Sequence, residues 1–122
     1  MKNNKKITTK QHFEIFKKEF MYWQETFGLV GWNFDFEHKK SERNKADCAP
    51  DLDGRFCVVT LSKTWEGGIE EVTNERVREV AKHEAVHVLL ARLTTYARVR
   101  YISKKELDEA EEKLVVILTK LL

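Results

Sequence analysis

The chain has 122 residues, one Pro, three Trp and 42% hydrophobic side chains, enough for a single domain with one buried core. Its 22 Lys and Arg stand against 20 Asp and Glu, and a net charge of +2 gives no electrostatic case for a nucleic-acid or membrane-surface partner. No apolar run is long enough for a signal h-region or a membrane span, so the sequence reads as cytoplasmic.

Residues 1–8, with Lys2, Lys5 and Lys6 among polar neighbours, are expected as a flexible basic tail, and residues 9–122 as a single domain. Thr8-x-x-Gln11 has the form of a capping box, and Phe13, Phe16, Phe20, Trp23 and Phe27 then recur at helical steps until Gly28. This predicts a helix whose aromatic face covers a sheet, with His12 at its exposed start. Trp32, Phe34, Phe36 and His38 alternate with Asn33, Asp35 and Glu37, the period of a half-buried strand. The stretch from Lys39 to Lys45 holds Lys39, Lys40, Arg43 and Lys45 but no interleaved aromatic residue, so it reads as a solvated loop rather than a nucleic-acid platform.

Asp51-Leu52-Asp53-Gly54 forms turns readily, and between Ala46–Pro50 and Arg55–Leu61 it predicts a hairpin. Centred on Leu52-Asp53, the hairpin sets Cys48 opposite Cys57. A disulfide there is sterically conceivable, although two reduced thiols suit a cytosolic chain better; the spacing is not that of a structural zinc site. Pro50 lacks an N–H and marks a short or edge strand. The segment Phe56–Leu61 is the most β-prone of the chain. The loop from Ser62 through Gly67 and Gly68 contains Trp65, which either lines a cleft or roofs the core. An open sheet edge near the site described next would let an extended peptide pair with it.

A second helix is predicted from Asn74 to about Leu93, with Val77, Val80, Ala81, Val88 and Ala91 as its apolar arc. It contains His83-Glu84-Ala85-Val86-His87, an HExxH pattern. Four residues advance about 6 Å along a helix and a little over one turn, so both imidazoles stack on one face and can hold one metal ion. Zinc suits two imidazole nitrogens best. Glu84 lies about 100° around from His83, placed to take a proton from a metal-activated water. The pattern arises by chance in about one or two in a hundred sequences of this kind, so an ordinary helix with two histidines stays as the alternative.

A catalytic zinc takes three protein ligands and a water, and no histidine follows His87. The third ligand must then be a carboxylate if it comes from downstream. After a connector from Thr94 to Ile102 with Arg98 and Arg100, Ser103-x-x-Glu106 caps a last helix. Leu107, Ala110, Leu114, Ile117, Leu118 and Leu121 form its apolar face, and Glu111 lies nearest to it, at about 60°. Glu111 is the candidate third ligand; an ion pair with an Arg is its alternative. Tyr96 and Tyr101 are either donors to a developing oxyanion or ordinary surface residues.

On these residues the chain resembles the HExxH zincin metallopeptidases, in the gluzincin subgroup whose third ligand is a glutamate. The order of Trp32-Asn33-Phe34-Asp35-Phe36 and of the strand entering Leu61-Ser62-Lys63 is similar to SprT-like domains and to minimal single-domain metallopeptidases of phages and prokaryotes. The resemblance implies Zn²⁺ held by His83, His87 and Glu111, with Glu84 as general base. Two departures stand out: the third histidine typical of SprT-like proteins is absent, and the position four after Glu111, often acidic in gluzincins, is Val115. The expectation is an α+β fold: an N-terminal helix, a small three-stranded sheet, and two C-terminal helices carrying the metal site. The expected function is zinc-dependent hydrolysis of a peptide or protein substrate. The alternative is a metal-stabilised binding or regulatory module without useful turnover.

Overall fold

The computed structural model describes residues 4–41, 44–66, 70–99 and 101–121, so Lys2, Arg43, Gly67, Gly68 and Arg100 lie outside the described residues. Helix α1 (Lys10–Thr26) is followed by strands β1 (Asn33–Lys39), β2 (Ala46–Asp51) and β3 (Phe56–Ser62), then by helices α2 (Asn74–Arg98) and α3 (Lys104–Leu121). This is the α+β order expected.

Helix α1 starts one residue later than the capping box in the sequence suggested. Thr9 is the cap: its hydroxyl accepts the His12 N–H at 3.2 Å, and His12 Nδ1 accepts the Thr9 N–H at 2.9 Å. His12 thus supplies the return bond of a capping box, a role usually given to Glu or Gln. Phe16 and Phe20 on the inner face are fully buried. The helix ends where Gly28 adopts φ 71°, left-handed backbone that costs glycine little, and the Gln24 side-chain amide donates to the Leu29 carbonyl to hold the exit.

The sheet is mixed, in the order β1-β3-β2, with β1 parallel and β2 antiparallel to the central β3. Side chains alternate along a strand, so Phe34, Phe36, Cys57, Val59, Ala46 and Cys48 share one face. Helix α1 covers it: Phe20 meets Phe34 and Phe36 edge-on at 5.0 and 5.5 Å, and Phe13 stacks on His38 at 4.9 Å. Beside α1, helix α2 buries Val77, Ala81, Ala85 and Val88. Trp65 is only 2% exposed and roofs this core rather than lining a cleft.

The hairpin register corrects one expectation. Cys48 stands opposite Val59, and Cys57 opposite Pro50, so the pairing is offset by two residues from the one expected. The turn is longer than the two central residues assumed: Asp51 Oδ1 accepts the Gly54 N–H at 3.3 Å, and Arg55 takes φ 48° before β3 begins. The two cysteines are free and diagonal to each other on the inner face.

The segment from Asn4 to Thr8, expected as part of a loose tail, is tied down. Asn4–Lys6 form a short 3-10 turn, Ile7 bridges to Thr64, and the Lys6 carbonyl accepts the Trp65 N–H at 2.8 Å. Thr8 is 4% exposed, which its hydroxyl can tolerate because it is bonded twice. It donates to the Ser62 carbonyl at 2.7 Å, so its oxygen receives the Nε2–H of His38, also at 2.7 Å.

Helix α2 runs on through Arg98, past the end expected near Leu93. No Gly or Pro interrupts it, and the Arg92 guanidinium lies over the Tyr96 ring at 5.3 Å, an i, i+4 contact that holds the added turn. Ser103 caps α3 as expected, its hydroxyl accepting the Glu106 N–H at 3.1 Å. Among the described residues, no helix is long and apolar enough to cross a membrane.

Replacing Thr8 by Val keeps the shape but removes both bonds and leaves the Ser62 carbonyl unpaired. The expected loss is about 1–3 kcal/mol of stability, measured by chemical denaturation, with little change in the far-ultraviolet circular dichroism spectrum.

Candidate metal centre

His83 and His87 stand one helical turn apart on α2, both exposed, with their Nε2 atoms 3.2 Å apart and their rings inclined by 78°. Two nitrogens each bound to zinc at 2.0–2.1 Å in tetrahedral geometry lie about 3.3 Å from each other. The pair is therefore spaced for one ion. Without an ion the same separation lets one ring donate a hydrogen bond to the other. With Glu84 the two histidines form a group whose potential ligand atoms all lie within 4.8 Å of one another.

Glu84 differs from its neighbours in being buried, with 6% of its surface exposed. The helical period turns it toward the core, between Val77, Ala81 and Val88, while the histidines stay at the margin. Burial pushes its carboxyl above the ordinary value; the hydrogen bond from Cys48 and the positive charge of His87 and His83 act the other way. Cys48 also approaches the Glu84 backbone carbonyl, Sγ to O 3.6 Å. Hydrogen bonding with Cys57 and burial raise the Cys48 thiol, which stays protonated and can donate. A carboxyl held in a dry seam beside two nitrogens spaced for one ion is placed to exchange a proton with a water at that margin.

The structure does not bring Glu111 into this group. The expectation rested on burial among Leu107, Leu114, Val115 and Leu118, but Glu111 is exposed, as are Val115 at 46% and Leu118 at 37%. Helix α3 buries a narrower face, Ala110 and Leu114, and meets α2 on the flank of Val88, Leu89 and Arg92. That flank lies about 120–160° around α2 from the histidines. Tyr96 lines the same distant flank, and Tyr101 is 86% exposed.

Cys48 is the site residue that sequence reasoning missed. Its spacing within the hairpin pointed to Cys57, whereas the contact with Glu84 joins residues 36 apart in the chain. Only the docking of α2 on β2 reveals it.

A carboxyl raised by burial favours the protonated folded state. Its stabilising contribution is fully present below the free value of 4.5 and is lost as pH rises through the higher folded value. Metal-free Glu84→Gln is therefore expected to melt several degrees above metal-free wild type at pH 7, the gap closing as the pH falls toward 4.5; thermal melts of both proteins across that range check it.

No family model matches the chain, and no curated protein matches it. Among solved structures it is similar to the metallopeptidase zymogen of Methanocaldococcus jannaschii jannalysin, at 19% identity over 100% of this chain and 96% of that one, with a TM-score of 0.43. At that level the likeness assigns neither family nor activity.

Proposed function

We propose that the chain is a zinc-dependent peptidase, with His83 and His87 as metal ligands and Glu84 as general base. The observation that carries this reading is the 3.2 Å separation of the two Nε2 atoms, which fits two ligands of one tetrahedral ion, beside a buried carboxylate. Bound there, zinc supplies Lewis acidity that polarises a peptide carbonyl and makes water a stronger acid. Glu84 accepts the proton of the attacking water and returns it to the leaving amine. Burial raises the carboxyl and so makes it a better acceptor for that proton, while the Cys48 thiol approaches the Glu84 backbone carbonyl and ties this turn of α2 to β2. The substrate class proposed is a peptide or protein, met at the exposed histidine face of α2.

A second reading keeps the ion but not the turnover: a metal-stabilised binding or regulatory module. One observation favours it. Among the described residues, no fourth His, Cys, Asp or Glu joins His83, Glu84 and His87 in that group.

The two readings separate on one variant. In the peptidase, Glu84→Gln retains about one zinc per chain and loses about 10²–10⁴-fold in turnover of a peptide library, the range that general-base catalysis contributes. In the module, wild type and Glu84→Gln both bind zinc and neither cleaves. His87→Ala loses zinc in both cases, and retention of stoichiometric zinc by His87→Ala, measured by elemental analysis, rejects both.

Glu111 remains the proposed third ligand, which requires α3 to come round to the histidine face when metal binds. Zinc titration of Glu111→Ala decides it. A loss of about tenfold or more in affinity is expected if α3 makes that approach; unchanged affinity leaves two imidazoles and water as the shell.

A further inference from the structure

On the flank of α2 facing away from the histidines lies a cleft of about 700 Å³, the volume of a small-molecule site. The exit of α1, the β2–β3 turn, the second half of α2 and the face of α3 enclose it. Its walls include Phe27, Leu29, Trp32, Val88, Leu89 and Leu114, and Val30 stands beside them with 81% of its surface exposed. Three cations, Arg55, Arg92 and Lys113, line the same cleft with one acid, Asp53. Among the described residues none of those three cations forms an ion pair.

Two of the cations are held in place. Arg55 occupies left-handed backbone at φ 48°, a strained conformation for a residue with a side chain, and such strain gathers at ligand clamps. Its guanidinium lies against Gly31, Nη1 being 3.2 Å from where a Cβ on that residue would sit, so any larger side chain there would crowd it. Arg92 is laid over the Tyr96 ring. A cleft that sets apolar side chains beside positive charge held in no ion pair selects a ligand with one negative group and an apolar body.

We propose that this cleft binds a small carboxylate bearing an apolar chain, independently of the metal centre. Two sources share that chemistry, a fatty acid and the free C-terminus of an apolar peptide. The carboxylate pairs with Arg92 and Arg55, and the chain lies along Trp32, Leu89 and Leu114.

Isothermal titration of the full chain, with decanoate below its micelle concentration and with N-acetyl-leucyl-leucine, tests the proposal. Saturable one-to-one binding of at least one carboxylate is expected, decanoate alone indicating the fatty-acid source and the dipeptide alone the peptide source. Decanol and the dipeptide amide are expected to bind at least about tenfold more weakly than their acids. Arg92→Gln weakens the carboxylate about tenfold, and so do Arg55→Gln and Lys113→Gln together, two exposed positions whose substitution leaves the core intact. Glu84→Gln and metal removal leave binding unchanged. The proposal is overturned if neither acid saturates, if the neutral analogues bind as tightly, or if the Arg55→Gln, Lys113→Gln double variant binds like wild type. It is equally overturned if removing metal abolishes binding, since the carboxylate then sits on the histidines.

Discussion

The seam between α2 and the sheet is the contact on which the rest of the molecule depends. Ala81 and Ala85 on α2 and Ala46 on β2 are nearly or fully buried, and such small side chains let packed elements approach closely. Close approach brings the Glu84 carbonyl within reach of the Cys48 thiol and sinks the Glu84 carboxyl out of water. A larger residue at 81 or 85 would lift α2, and with it both the orientation and the environment of the proposed base. Packing and chemistry thus share the same few ångströms.

Helix α2 also divides the protein's surface chemistry by angle. Its period of 3.6 residues sends Val77, Ala81 and Val88 into the core, His83 and His87 to one margin, and Arg92 and Tyr96 to another. Polar functions on the two margins do not interfere, because about half a turn of buried helix separates them. Helix α3 sides with the second margin, which accounts for the position of Glu111 far from the imidazoles.

Local periodicity was legible from the residues alone. The aromatic steps from Phe13 to Phe27 marked α1, the alternation about Phe34 and Phe36 marked β1, and the spacing of His83 and His87 on a helix foretold paired nitrogens. What depends on the meeting of distant segments was not. The hairpin offset arises from Arg55 entering left-handed backbone, which composition does not announce, and docking of Thr8 depends on a histidine thirty residues away. The exposure of Glu111 has a related cause. Helical angles rank which side of α3 is apolar, but they do not say how wide a stripe its neighbour covers, and here Leu118 and Val115 stay in water.

The placing of β3 between its neighbours has a consequence for the order of assembly. β2 and β3 join through a short turn, whereas β1 pairs with β3 only after the chain between Asn33 and Phe56 has looped back. Loop closure makes the hairpin the earlier event and the parallel ladder the later one. In the interval β3, the most apolar strand, presents a bare edge to other chains. Asp35, Glu37 and Lys39 on the outer face of β1 add charge to the strand that finally covers that edge, so the last piece to dock also carries the groups that discourage a second molecule from taking its place.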